Sequence, residues 1–192
     1  MNRDDILTAA AQVFSQKGFH AASMQDIAQA VNLQKASLYH HIDSKQEILL
    51  ALLDQAFDLL TEHIQPLINL PIPIADKLQQ TMCAYLTDML ENRELASVLL
   101  LEYRSLRDEY RARHILRRDR FEQLWRDMIQ EGIDAGVFNS TDPAIASRAL
   151  LGVMNWTITW YHPNGLLTPR QISDQYADLF LSGLLQRQVH DG

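Results

Sequence analysis

The stretch SMQDIAQAVNLQKASLYHHIDSKQE, Ser23 to Glu47, constrains this chain more than any other part of it. Its apolar residues fall in two short runs at helical spacing: Ile27, Ala28 and Val31, then Leu38 and Ile42. Two helix-start signals frame them. Ser23 stands three residues before Asp26, and Ser44 three before Glu47. In each, the hydroxyl accepts from a free backbone N–H while the acid faces the positive helix end. Asn32 lies between the runs, and Asn tolerates the positive φ of a sharp helix-to-helix turn better than most residues other than Gly. Two short helices joined so tightly predict a helix-turn-helix, whose second helix enters the DNA major groove. The plainer reading is a capped pair of surface helices.

The side chains suit the sharper reading. Gln34, Lys35, Ala36 and Ser37 occupy the first turn of the second helix, where they would meet base edges. Gln and Lys supply donors, Ser serves either way, and Ala can touch a thymine methyl. Tyr39, His40 and Lys45 follow at positions suited to phosphate oxygens. Ser23 and Ser44 each open a helix whose free N–H groups can bind a phosphate.

The N-terminal quarter resembles the DNA-binding domain of the tetracycline-repressor (TetR) family of bacterial transcription regulators. The resemblance rests on Ile6, Ala10, Phe14, Gly18-Phe19, Ser23, Asp26-Ile27-Ala28, Leu33, Lys35, Ser37-Leu38-Tyr39-His40-His41 and Lys45. Asn32 replaces a usual Gly, Ile42 a usual Phe and Gln34 a usual Ser. The first two touch the fold only slightly, and the third points to an individual operator. The fold expected is all-α: an N-terminal three-helix helix-turn-helix domain over 1–47, then a C-terminal helical ligand-binding and dimerisation domain over 48–192.

Charge narrows how such a protein could hold DNA. The net charge is −7, and residues 1–47 balance to −1. Binding must rest on a few placed cations and helix ends, so a modest salt slope per subunit is expected. The chain of 192 residues is 47% hydrophobic, enough for a real core. It has no apolar run of membrane-spanning length and no basic-then-apolar leader, so a cytoplasmic location is expected. Cys83 is the sole cysteine and reads as a small core residue.

Helix 1 is expected over Arg3–Lys17, with Asn2 as cap and Gly18 as stop. Helix 4 should begin at Lys45 and run to about Ile64, with Pro66 marking its end. It is too long for the small head alone and should join the two domains. A helical pattern resumes from Ile74, with Leu78, Met82, Tyr85, Leu86 and Met89 on one face. Arginines from Arg104 to Arg126 then alternate with acids. Such alternation marks a solvated face; the sharper alternative has Arg104 and Arg107 at the mouth of a pocket for an anionic ligand. Asp142-Pro143 and Thr168-Pro169 open the last two helices, Gln171 completing a capping box with Thr168. Each of these helices is apolar on two sides. One side faces its own core. Leu151, Met154, Ile158, Ala177, Leu181 and Leu185 are assigned to a second subunit, as the TetR family dimerises through this pair; a fully internal pair is the alternative.

No catalytic arrangement and no repeated metal-ligand spacing occurs, so neither an enzyme nor any cofactor is expected. The composition of the C-terminal part fits sensing instead. Met82, Tyr85, Met89, Leu99, Tyr103, Trp125, Met128, Trp156 and Trp160 are candidates to wall an apolar pocket, with ordinary core packing as the alternative. Asn155-Trp156 to Trp160-Tyr161, Pro163-Asn164-Gly165 and Ser182-Gly183-Leu184 resemble the branch of the TetR family that responds to acyl-CoA thioesters. That resemblance implies a homodimeric repressor on a near-palindromic operator, released by an acyl-CoA whose phosphates meet Arg104 or Arg107. The competing reading is a TetR-type regulator of a drug-efflux gene sensing aromatic or cationic compounds, with acidic residues lining its pocket.

Overall fold

The computed structural model describes residues 2–184, and its regular elements among them are all helical. The chain divides into two units. One holds the residues up to Leu59 together with Asn92–Arg118; the other holds Leu60–Glu91 and the residues from Asp119 onward.

The first unit opens with α1 (Arg3–Lys17), α2 (Met24–Ala30) and α3 (Lys35–Leu38). Asn2 starts α1: its side chain accepts from the Asp5 N–H while the Asp5 carboxylate accepts from the Asn2 N–H. Gly18 ends it at φ 77°, a region costly for any residue with a Cβ. Asn32 takes φ 54° and is the one non-Gly residue at positive φ among the described residues. That kink lets the Leu33 N–H return to the Ala28 carbonyl at 2.8 Å and closes the turn the sequence predicts. Ile6, Ala10, Phe14, Ile27, Ala28, Leu38 and Ile42 are buried together in this head. Phe14 and Phe19 meet edge to face at 5.3 Å. Full burial of each large aliphatic side chain contributes ~1.5–3 kcal/mol, so this small core sets the angle at which α3 is offered.

The same unit contains α6 (Arg93–Ser97), a π-helical turn (Val98–Glu102), a 3-10 turn (Tyr103–Ser105) and the start of α7 (Asp108–Asp134). α6 packs on α1. Gln46 clips this segment in place: its Nε2 donates to the Ser105 carbonyl at 2.8 Å, and its Oε1 accepts from the Arg107 N–H at 3.0 Å. His20 Nε2 lies 3.1 Å from Ser105 Oγ. Arg113 pairs with Asp54 at 2.6 Å, and Arg117 pairs with both Asp54 and Asp58. Helical periodicity has no means of showing a unit that is discontinuous in sequence.

Helix α4 (Lys45–Ile68) runs past the expected stop at Ile64, with Pro66 inside its last turn. There the missing N–H removes one bond near a fraying end, a smaller loss than in a helix interior. Both α4 and α7 continue without a break from one unit into the other.

The second unit adds α5 (Ile74–Glu91), α8 (Pro143–Trp160) and α9 (Pro169–Leu184). α9 packs chiefly on α5, and α8 also meets α5. Leu78, Met82, Tyr85, Leu86 and Met89 are buried along α5, with Trp125, Met128 and Ile129 on α7. Asp142 caps α8, accepting from the N–H groups of Ala144 and Ile145. Thr168 and Gln171 form the expected box before α9. Gly136 (φ 67°) stops α7, and the N–H groups of Val137 and Phe138 both return to the Gly132 carbonyl at 2.9 Å. Phe138 lies against Gly132, where a Cβ would come within 2.1 Å of its ring. Among the described residues, no helix is long and apolar enough to cross a membrane.

Candidate DNA-binding surface and ligand-binding core

Capping and core packing present α3 outward. Lys35, Ala36, Tyr39 and His40 are exposed, and Ser37 is half-exposed. Gln34 occupies the N-cap position, one residue before the first turn expected of it, and its exposed side chain makes no cap bond. The helical course continues past Leu38 as a tighter turn, in which the His40 N–H donates to the Ser37 carbonyl and the His41 N–H to that of Leu38.

Two nominated phosphate contacts are engaged elsewhere. Lys45 Nζ donates to the carbonyls of Phe19 and Ala22, both at 2.6 Å, and stands 4.4 Å from the centre of the Phe19 ring. Partial burial lowers its pKa. The ammonium therefore staples the α1–α2 loop to the start of α4. Ser23 caps α2, and its hydroxyl donates to Asp26 at 2.6 Å. Lys17 also reaches Asp26 at 2.6 Å, and these hydrogen bonds, that of Lys17 first, hold the Asp26 carboxyl well below the usual carboxylate range. Ser44 is half-exposed and accepts from the Glu47 N–H at 3.1 Å; the Glu47 carboxylate reaches the Asp43 N–H and not that of Ser44.

The expected pocket residues divide between the units. In the second, Met82, Tyr85, Met89, Trp125 and Met128 are all buried. The Tyr85 ring meets Trp125 edge to face at 5.5 Å and Phe121 at 5.8 Å. Its hydroxyl donates to Asn155 Oδ1 on α8, and burial pushes its pKa up. Trp156 and Trp160, also expected in the pocket wall, are instead on the outside, 67% and 41% exposed. Leu99, Tyr103, Arg104 and Arg107 belong to the first unit. There the Tyr103 ring stacks on buried His114 at 5.7 Å, and Phe57 covers His114 at 5.8 Å. Arg104 Nε donates to the Tyr103 hydroxyl at 3.1 Å, which raises the guanidinium pKa. Arg107 pairs with Glu109 at 2.8 Å. Arg111, Arg113, Arg117 and Arg126 also hold acidic partners, so much of the arginine run is an ion-paired face.

On α8 and α9 both apolar sides contribute to the chain's own core, where Leu150, Ile172 and Leu184 are also buried. Met154, Ile158 and Ala177, expected at a subunit interface, are buried within the chain, while Leu151 and Leu181 are half-buried. Leu185 lies outside the described residues. The outward face is formed by Ala149, Val153, Trp156 and Trp160 on α8 and Leu179 on α9. Periodicity identifies two apolar sides but does not say how much of each meets the chain's own core. Two functional candidates, Gln46 and His114, carry no local pattern and went unnoticed in the sequence; Asn155 stood out there only within the branch resemblance, with no role of its own.

Together, an outward-facing α3 on a packed three-helix head and a helical body define a DNA-binding regulator. Residues 6–52 match the description "Bacterial regulatory proteins, tetR family", and residues 71–184 match "Tetracyclin repressor-like, C-terminal domain". The chain belongs to the tetR family of bacterial transcription regulators and is not an enzyme. It is 37% identical to the TetR family transcriptional regulator PfmR from Thermus thermophilus, with a TM-score of 0.86 over 95% of this chain and 99% of that one. The transcriptional repressor KstR2 of Mycolicibacterium smegmatis is 28% identical over 97% of this chain and 92% of its own length. AibR, solved with isovaleryl coenzyme A and operator DNA, is 26% identical, with a TM-score of 0.86 over 92% of this chain and 96% of that one.

Proposed function

We propose that this chain is a dimeric repressor released from a near-palindromic operator by a coenzyme A thioester. The DNA half rests on the outward row Gln34, Lys35, Ala36, Tyr39 and His40 on a capped, packed head. The division of labour follows the sequence: residues 1–47 read DNA, and 48–192 sense and dimerise. Trp156, flanked by Val153 and Trp160, supplies the apolar centre of an isologous interface with a second copy. A twofold pair of heads then sets two reading helices about one helical turn of DNA apart. Such a regulator acts in the cytoplasm, where its operator lies.

The effector half rests on one observation. All four methionines of the second unit, Met82, Met89, Met128 and Met154, are buried, and they share that core with Tyr85 and Trp125. Methionine walls repack around an incoming apolar chain at low cost. The likeness to AibR favours a thioester as that guest. Within its own unit, Arg104 is the candidate for an anionic group, since its guanidinium meets the uncharged Tyr103 hydroxyl. The shift in operator affinity is bounded by the effector's differential affinity for the two packings, which α4 transmits.

The test selects an operator from random duplex DNA with the purified protein, then titrates acyl-CoAs from acetyl to palmitoyl into the complex. At least one thioester should release the DNA while free coenzyme A does not. A protein that selects no sequence overturns the DNA half. Selection without release by any thioester overturns the effector half.

The efflux reading has one observation in its favour. A cleft of about 450 Å³ in the first unit is lined by Arg3, Asp4, Glu47, Asp54, Asp58 and Arg113, acids outnumbering bases. Three of those four carboxylates are already paired, Glu47 with Arg3, Asp54 with Arg113 and Asp58 with Arg117. Little charge is left for a cationic guest.

A further inference from the structure

We infer that the Trp125 indole N–H and the Asn155 side-chain amide form a two-donor anchor for a carbonyl oxygen of the effector. The inference rests on the effector reading above and deepens it.

Trp125 is fully buried, yet its Nε1 has no hydrogen-bond partner. A buried donor without an acceptor costs ~1–3 kcal/mol, a loss that native cores rarely carry without a reason. The other such atom among the described residues is Ser173 Oγ. A helical serine hydroxyl can rotate toward the carbonyl one turn back, whereas an indole N–H has a single direction fixed by its ring.

The surroundings say what the donor awaits. Tyr85 packs edge to face with Trp125, and its hydroxyl donates to Asn155 Oδ1. That bond fixes the amide, so the Asn155 Nδ2 donors face away from Tyr85. Trp125 and Asn155, both tied to Tyr85, thus offer N–H donors. An uncharged acceptor fits, and a cation does not. Met82 and Met89 stand one turn to either side of Tyr85, and Met128 one turn after Trp125. These adaptable walls suit an apolar chain attached to that acceptor. A thioester carbonyl flanked by hydrocarbon has this character.

The test compares each acyl-CoA with its S-alkyl-CoA thioether, which lacks the carbonyl oxygen, on the wild-type dimer and on Trp125→Phe. The wild type should bind the thioester about tenfold more tightly than the thioether, the weight of one hydrogen bond to a buried donor. Trp125→Phe should reduce that preference severalfold while still binding the thioether. A packing role alone would weaken both ligands equally and leave the preference intact, which overturns the anchor and spares the thioester effector. Failure of every acyl-CoA to bind the wild type overturns both. Should Trp125→Phe not fold, the indole ¹⁵N–¹H resonance of wild-type Trp125 gives the answer. It should move downfield with thioester and not with thioether; equal shifts overturn the anchor. Asn155→Asp, which keeps an acceptor for Tyr85 but removes the amide donor, should also erode the preference.

Discussion

Replacing Lys45 by Met separates a structural ammonium from a DNA-contacting one. The stem stays and the charge goes. Two carbonyls, of Phe19 and Ala22, lose donors held at 2.6 Å, and the Phe19 ring loses the cation 4.4 Å from its centre. A hydrogen bond to a charged group contributes ~1.5–3 kcal/mol, and a cation over a ring ~0.5–1 kcal/mol at an exposed site. Against them stand ~2 kcal/mol of frozen lysine rotamers and the partial rehydration of the freed carbonyls. A net loss of about 2 kcal/mol follows, which for a chain of this length is a fall in melting temperature of about 6 °C. Thermal melts at fixed pH measure it. Operator titrations across a salt series give the second readout: a staple leaves the slope of log K against log salt unchanged, and a lost phosphate contact lowers it by about 0.9 per subunit. An unchanged melt together with the lower slope would refute the staple.

Other outcomes follow from particular contacts. Burial, and then the charge of Arg118, lowers the His114 pKa below its ordinary 6.5, with Asp54 opposing. The neutral ring is thus favoured in the folded state, so its contribution is full above that value and lost as pH falls through the folded-state pKa. Urea midpoints should decline on acidification from about pH 7.5, and less steeply in His114→Phe; parallel curves would contradict this. Gly132→Ala should cost about 2 kcal/mol by displacing the buried Phe138 ring, and a smaller residue at 138 should recover part of it, as a pair of denaturation curves would show. Trp156→Arg should convert the dimer to monomer in light scattering and weaken operator binding, because Trp156 is 67% exposed at the centre of the outward apolar face. A dimer of wild-type affinity would show that a different surface pairs the subunits.

The head was the most legible part of the sequence because its rules are local. Asn2, Ser23, Asn32 and Gly18 act within four residues of themselves, and each does in the structure what its chemistry predicts. Thr168 with Gln171, and Asp142 before Pro143, are equally local. Tertiary choices were less legible. Lys45 has the composition of a phosphate ligand, and only the fold brings the carbonyls of Phe19 and Ala22 to it. Trp156 and Met154 are two positions apart, so a helical wheel separates them without saying which one faces inward. Pro66 misled because a rule for helix interiors was applied to a last turn.

The Gln46 clip bears on how this regulator could be taken apart. Grafting a new DNA specificity onto a sensor is usually imagined as a cut after the reading domain, near residue 47. Here such a cut would carry off Gln46 and leave behind Ser105 and Arg107, whose backbone it holds. The cut would likewise part His20 from Ser105. A working hybrid must transplant the residues up to Leu59 together with Asn92–Arg118, which also keeps Asp54 and Asp58 with Arg113 and Arg117, or redesign both sides of the seam. Because Gln46 grips backbone atoms only, the side chains at 105 and 107 are free to vary in any relative that keeps the clip, while position 46 is not.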